Sequence, residues 1–360
     1  MSSTFGEKIK ISIFGESHGA GIGVVIDGLP AGVKIDMDAV RAQMSRRAPG
    51  KDRTATPRRE SDLPRILSGL LGDVLTGAPL CALIENTNTR SGDYSNLALL
   101  PRPGHSDYTA FLRYRGSNDV RGGGHFSGRL TAPLVFAGAV CRQILEKKGV
   151  RIAAHIYNIG GVYDKHFDPV DIKDELIDRL SASSFSLIDE ARETEMRAEV
   201  ETARLALDSV GGSVECVVKG FPAGIGEPIF DGVEGAIAKA VFGIPAVKGI
   251  EFGAGFELSK MRGSQANDPF RMENGRVVTA TNNCGGILGG ISDGMPIIFR
   301  AAIKPTPSIA QKQRTVNLST GENAELEIKG RHDPCIVPRA VPVIEAAAAI
   351  ALINLTEELS

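Results

Sequence analysis

The sequence predicts an α+β fold in which helices pack against antiparallel sheets. Three observations predict it. Short β-branched runs at Ile9–Phe14, Ile22–Asp27, Leu80–Glu85 and Ile297–Ile303 read as strands. Helical periodicity separates them, over Met37–Arg47, Leu130–Lys148 and Val341–Leu355. The two halves also carry the same marks in the same order. Val25-Ile-Asp-Gly-Leu-Pro-Ala-Gly32 resembles Val218-Lys-Gly-Phe-Pro-Ala-Gly224, and Thr76-Gly-Ala-Pro-Leu80 resembles Asp293-Gly-Met-Pro-Ile297. The spacing differs, 47 residues against 72. The expectation is a single unit with a pseudo-two-fold internal duplication, roughly residues 8–150 and 210–355.

Composition excludes more than it selects. At 360 residues with 42% hydrophobic content the chain is long enough to bury a large core. The net charge of −2 gives no general affinity for nucleic acid or an acidic membrane. Five cysteines, an odd number without a C-x-x-C pair, predict a reducing, cytoplasmic setting. The apolar run Ala346–Leu355 is too short for a membrane span, and the polar start runs directly into Lys8–Phe14, so no signal peptide is expected.

Taken in order, the elements carry their chemistry on the connections. Gly15-Glu-Ser-His-Gly19, between the first two strands, presents a hydroxyl (Ser17) and an imidazole (His18) on a turn. Asp36 caps the helix over Met37–Arg47, with Met37, Val40 and Met44 on one face. Residues 41–65 then concentrate Arg41, Arg46, Arg47, Lys51, Arg53, Arg58, Arg59 and Arg65 against Asp52, Glu60 and Asp62. No aromatic is interleaved there, which disfavours single-strand nucleic-acid binding.

Residues 86–129 show little periodicity, and loops of such length are usually functional. This stretch holds Pro101-Arg-Pro-Gly-His-Ser-Asp-Tyr108 and Arg121-Gly-Gly-Gly-His-Phe-Ser-Gly-Arg129 ahead of the Leu130–Lys148 helix. Glycines admit close backbone approach, and Arg102, Arg121 and Arg129 offer forks that match phosphate or carboxylate. His105 and His125 stand among them as proton-transfer candidates. Residues 170–210 read as two or three acidic surface helices, and His155 and His166 as structural or surface residues without clustered partners. The second half adds the Gly285–Gly290 run, the Lys304-Pro-Thr-Pro-Ser308 loop and Arg331-His-Asp-Pro334, in which Asp333 is a candidate base or an approach turn. Neither Gly run matches a nucleotide-fold fingerprint in its strand–turn–helix setting.

Together these segments resemble the chorismate synthase family over nearly the whole chain. The carrying motifs are Gly15–Gly19, Arg46-Arg-Ala-Pro-Gly50, Arg58-Arg-Glu60, Asp93-Tyr-Ser95, Arg102–Tyr108, Lys248-Gly-Ile-Glu-Phe-Gly253, Gly263-Ser264, Asn267-Asp-Pro-Phe270, Gly285–Gly290, Lys304–Ser308 and Arg331–Pro334. The resemblance implies a β-α-β sandwich, a homotetramer, and a 1,4-elimination of phosphate from 5-enolpyruvylshikimate 3-phosphate that requires reduced FMN. It implies catalytic roles for His18, His105 and Asp333. Ser17, Arg47, Arg53, Arg102 and Arg129 would then bind substrate. Arg53, His105, His125, Ser127, Gly128, Arg129, Ala246, Gly289, Lys304, Thr306, Ser308 and Arg331 would hold the cofactor. One departure stands out: many members read Arg-Ser-Ser-Ala-Arg-Glu where this chain has His125-Phe-Ser-Gly-Arg-Leu130.

Three rival readings remain. A flavin-free phosphate enzyme would use His18 or His105 with the arginines as a clamp. A metal enzyme would need His18, His105, His125 and Asp333, whose loose spacing and arginine neighbours disfavour a cation. An RNA-binding scaffold would use residues 41–65. The short chain favours an external flavin reductase over intrinsic reduction by NADPH, and no nucleic-acid or membrane partner is expected.

Overall fold

The computed structural model describes residues 3–50, 62–87, 99–328 and 333–356. Its first half contains strands β1 (Thr4–Phe5), β2 (Lys10–Gly15), β3 (Gly21–Asp27), β4 (Arg65–Ser68), a two-strand ribbon β5 (Leu70–Leu71) and β6 (Val74–Leu75), and β7 (Leu80–Glu85). Helices α1 (Met37–Arg47), α2 (Asp107–Tyr114) and α3 (Thr131–Glu146) complete it. The second half has β8 (Arg151–Ile159), β9 (Val162–Tyr163), helices α4 (Asp174–Ala182) and α5 (Glu193–Leu205), β10 (Gly212–Lys219), α6 (Val233–Phe242) and β11 (Val247–Phe252). A one-turn helix α7 (Gly263–Ala266), hairpins β12 (Phe270–Glu273)–β13 (Arg276–Thr279) and β14 (Ile287–Leu288)–β15 (Ile291–Ser292), and β16 (Ile297–Ile303) follow. The chain then forms the hairpin β17 (Gln313–Asn317)–β18 (Glu322–Leu326) and the long helix α8 (Val337–Leu355).

Two five-stranded antiparallel sheets result, ordered β1-β2-β3-β7-β4 and β11-β16-β10-β8-β9. Strip each sheet's extra edge strand and the orders coincide. A strand pair (β2–β3, β8–β10) is followed by a helix (α1, α6) and an edge strand (β4, β11). The next strand (β7, β16) then inserts between edge and pair, and a long helix (α3, α8) closes the half.

The helices lie between the sheets because each sheet turns one apolar face inward. In β3, Ile22, Val24 and Ile26 are buried, while Gly21 and Val25 face the other way. The second sheet is covered on both faces: Val214, Cys216 and Val218 of β10 join the main core, and Val217 meets Ile177 and Leu180 of α4. A strand buried on both faces reads as a continuous apolar run, broken here only by Glu215.

At the centre α3 and α8 approach so closely that a Cβ on Gly138 would lie 2.2 Å from the Ala346 Cβ. The alanines of α8 make that approach possible. Glu345 is a buried charge on this helix, held by Arg46 of α1 at 2.6 Å, by Arg142 of α3 at 3.5 Å and by the Ala154 amide at 2.9 Å. Arg46 thus serves the core rather than a ligand. Among the described residues α8 is the one helix long and apolar enough to cross a membrane, and 83% of that window is buried inside the protein.

The structure departs from the sequence reading in three places. Helix α8 begins at Val337 rather than Val341, because Pro338 sits in the first turn, where its missing N–H costs nothing. The β17–β18 hairpin arises from a segment without clear alternation. His155 and His166 do have clustered partners. His155 is fully buried between Asp164 (3.0 Å) and Glu215 (3.1 Å), and His166 bonds Glu215 (2.7 Å) and the Tyr157 hydroxyl (2.7 Å). Burial alone would strip the His155 proton, but the two carboxylates outweigh it and push its pKa up.

Candidate active site

Three consecutive glycines, Gly122, Gly123 and Gly124, all with positive φ, run between the two histidines of interest. A Cβ on Gly122 would lie 2.1 Å from the His18 ring and 2.9 Å from Ser17 Oγ, and one on Gly123 would lie 3.3 Å from the His105 ring. Only glycine lets backbone pass there. The Ser17 amide donates to the Gly124 carbonyl at 3.1 Å, and Asn86 Nδ2 donates to the Glu16 and Gly19 carbonyls at 2.9 Å, which fixes the turn that carries Ser17 and His18.

His105 and Arg102 share one buried carboxylate. Arg102 grips Asp107 through Nε (2.7 Å) and Nη2 (2.8 Å), and His105 Nδ1 lies 2.6 Å from Asp107 Oδ1. An Nδ1–H pointed at the carboxylate makes that bond and leaves Nε2 beside Gly123. Burial opposes the Asp107 charge, but bonds from Arg102 and His105 outweigh it and hold the carboxyl well below its usual range. Arg102 also reaches Ser308 Oγ (3.1 Å), and Lys304 Nζ donates to the Gly104 carbonyl (2.9 Å). Two loops from opposite halves of the sequence are thereby fastened together. Burial and the Lys248 charge lower the Lys304 pKa.

A second cationic group lies alongside. Arg47 donates to Thr131 Oγ1 (2.9 Å), the Gly128 carbonyl (2.9 Å) and Asp62 (2.6 Å), and Arg129 bonds Asn86 Oδ1 (3.0 Å) and the same Asp62. Burial lowers the Arg47 pKa to about 10, against the raising influence of Asp62. Asp333 pairs with Arg339, whose Nε donates to the Arg47 carbonyl at 2.9 Å.

These groups open onto one cavity of about 2150 Å³. It brings together Arg47, Arg102, His105, His125, Ser127, Gly128, Arg129, Ala246, Lys304, Thr306, Ser308 and Asp333 from the expected set. Ser17 and His18 are not on its wall; they pack behind Gly122, which is. Gly289, on the β14–β15 turn, does not line it. Arg53 and Arg331 lie outside the described residues. His125 lines the cavity with both ring nitrogens engaged: Nδ1 donates to the Gly15 carbonyl (2.8 Å) and Nε2 meets Ser3 Oγ (2.8 Å). These two bonds fix the ring of His125 on the cavity wall. Sequence reasoning assigned no role to Asp62, Asp107 or Arg339. The signal for Asp107 was its place inside the Arg102–Tyr108 motif; Arg339 lay between the Arg331–Pro334 motif and the helix expected from Val341, and the structure places it in the first turns of α8.

The cavity suits a large anionic guest. Arg47, Arg102, Arg113, Arg129, Lys239, Lys248, Lys304 and Arg339 face Glu16, Asp119 and Asp333 on its wall, with an apolar side from Ile13, Leu134, Ile244 and Val343. Its volume exceeds the roughly 300–1,000 Å³ of a one-ligand pocket, enough for two guests side by side. The hydroxyl of Thr306, on the cavity wall, is buried without a hydrogen-bond partner among the described residues, as expected where a ligand supplies one. Ala246, at φ 75, holds a left-handed backbone against the cavity and accepts from the Lys304 amide at 2.9 Å. Such strain concentrates at ligand sites. These features fit a flavin mononucleotide beside a phosphorylated acid.

Comparison with known proteins bears on the family. The family model for chorismate synthase matches residues 9–356. The chorismate synthase of Dehalococcoides mccartyi (strain ATCC BAA-2100 / JCM 16839 / KCTC 5957 / BAV1) is 48% identical over 99% of this chain and 96% of its own length. That of Methanosarcina acetivorans is 47% identical over 97% and 94%, and that of Thermococcus kodakarensis 46% identical over 96% and 95%. A crystal structure of chorismate synthase superposes with a TM-score of 0.74 at 26% identity, covering 98% of this chain and 92% of its own. On fold, cavity and near-complete similarity, this chain belongs to the chorismate synthase family, enzymes of the lyase class.

Proposed function

We propose that this protein eliminates phosphate from 5-enolpyruvylshikimate 3-phosphate to give chorismate, with reduced FMN required although the net reaction is redox-neutral. The observation that carries the reading is the cavity lined by Arg47, Arg102, Arg129, His105 and Asp333 in a chain similar to chorismate synthases throughout. The substrate brings a phosphate and two carboxylates, and FMN a further phosphate. Removing so much negative charge from water demands fixed cations in its place.

In this reading Arg47, Arg102 and Arg129, together with Ser17 and Arg53, bind the substrate's anionic groups. Ser127, Gly128, Ala246, Lys304, Thr306, Ser308 and Arg331 hold FMN, with Arg53, His105, Arg129 and Gly289 contributing. His125, its ring fixed by Gly15 and Ser3, contributes to the flavin site from the cavity wall. Reduced FMN, when bound, supplies transient electron density for phosphate departure and a basic nitrogen for the ring proton. His18, behind Gly122, gives its proton to the departing phosphate oxygen. His105, with Nδ1 committed to Asp107, uses Nε2 toward the flavin edge. Asp333, oriented by Arg339, assists removal of the ring proton. The C–O bond breaks with its electron pair leaving on phosphate, the C–H bond then gives up its proton, and the existing ring C=C shifts as a second one forms.

The molecule acts as a homotetramer. Ile229, Phe230, Phe256, Phe270 and Met272 are large, apolar and exposed on the second half, where contacts between subunits would cover them. The five free thiols suit a cytoplasmic setting. An external reductase supplies the reduced flavin.

The deciding experiment is anaerobic phosphate release from 5-enolpyruvylshikimate 3-phosphate, with prereduced FMN, with oxidised FMN plus NADPH, and without flavin. Release only with prereduced FMN is expected. Release with NADPH as well would show intrinsic flavin reduction, and release without flavin would refute the reading.

A further inference from the structure

Asp62 is fully buried at its side chain, between two cavity arginines that are themselves 4% exposed. One carboxylate oxygen takes Arg47 Nη1 at 2.6 Å and the other takes Arg129 Nη1. Each guanidinium is also fixed through Nε by a neutral acceptor, Thr131 Oγ1 at 2.9 Å and Asn86 Oδ1 at 3.0 Å. Asp62 adopts φ 49, a left-handed backbone that aspartate tolerates better than most side chains. Two like charges this close in a buried setting repel strongly, and one carboxylate bridging both relieves it. Two guanidiniums and one carboxylate leave the group a single positive charge.

We propose that Asp62 is a specificity-determining residue of the cavity: its carboxylate bridges Arg47 and Arg129, fixes both guanidiniums, and limits the charge the pair can offer an incoming anion. With Asp62 in place the pair suits a singly charged group such as a carboxylate. Without it the pair would attract a doubly charged phosphate into the place the carboxylate holds. The inference rests on the reading of the cavity as an anion site and needs neither flavin nor a particular substrate.

The test is thermal unfolding and calorimetric phosphate binding of the full chain, wild type against Asp62→Asn, in a phosphate-free buffer and with millimolar inorganic phosphate. Asp62→Asn keeps the shape and removes the charge. It should lower Tm by about 5 °C or more without phosphate, recover most of that loss with phosphate, and bind phosphate ~10-fold more tightly than wild type. An equal phosphate response in both proteins would overturn the proposal and leave Asp62 a structural staple. If Asp62→Asn does not fold alone, the double variant Asp62→Asn/Arg129→Gln, which restores the single positive charge, should fold; its failure would also overturn the proposal. Failure of the turnover assay with success here would sink the substrate assignment and keep the anion site.

Discussion

At the residue scale the proposed chemistry divides between two histidines and one aspartate. His18→Ala and His105→Ala should each retain the wild-type circular dichroism and lose roughly 10²–10⁴-fold in kcat. A near-normal kcat in either would remove that residue from the mechanism. Asp333 is paired with Arg339, so Asp333→Asn keeps a hydrogen-bonding shape while removing the charge. Single-turnover phosphate release should slow by about 10-fold or more with FMN affinity unchanged, and unaltered single-turnover rates would end its role in proton removal. The motifs made these residues legible. The partners that orient them, Asp107 for His105 and Arg339 for Asp333, emerged from folding, since no spacing rule links a cavity carboxylate to a guanidinium six positions along at a helix start.

At the element scale two features invite measurement. Glycine inside a helix costs roughly 0.5–1 kcal/mol relative to alanine, yet Gly138 occupies the middle of α3 because α8 comes too close for any side chain. Gly138→Val should therefore destabilise the protein by about 1–3 kcal/mol through overpacking, read as a lower denaturant midpoint. A midpoint at or above wild type would mean the two helices can separate freely. The second feature is the His155 network on the second sheet, bounded by Asp164, Glu215, His166, Arg300 and Glu251. His155 is raised in the folded state, so its stabilisation is present below its ordinary pKa near 6.5 and is lost as pH rises through the folded value. Asp164 and Glu215 are lowered, so theirs is lost only in acid. Tm of the wild type should fall more steeply than that of His155→Gln as pH rises above about 6.5, and parallel curves would show that no proton is held there.

At the scale of the whole molecule, a chain of net charge −2 places eight lysines and arginines, against three carboxylates, on the wall of one cavity. Charge focused in a cleft draws anions from solution and is screened by salt. Raising ionic strength from 0.01 M to 0.15 M shortens the screening length from about 30 Å to about 8 Å, and KM for the proposed substrate should rise several-fold with little change in kcat. A KM indifferent to salt would mean that short-range contacts alone capture the substrate.

The sequence by itself determined the strands Leu80–Glu85 and Ile297–Ile303, helix α1 with its Asp36 cap, and the motifs that mark the site. These depend on local periodicity, on turn glycines and on side chains gathered within a few residues, all of which a linear reading can see. The strand order shared by the two sheets adds support to the proposed duplication of one unit. Only the tertiary structure decided which arginines serve the cavity and which the core. Arg46 and Arg47 are neighbours on one helix, and the turn of the helix sends the first to Glu345 and the second to Asp62. Tertiary contacts also placed Ser17 and His18 behind Gly122 and turned His125 toward Ser3 and Gly15. Such partners are distant in sequence, so the direction a side chain faces is set by the packing of elements against one another.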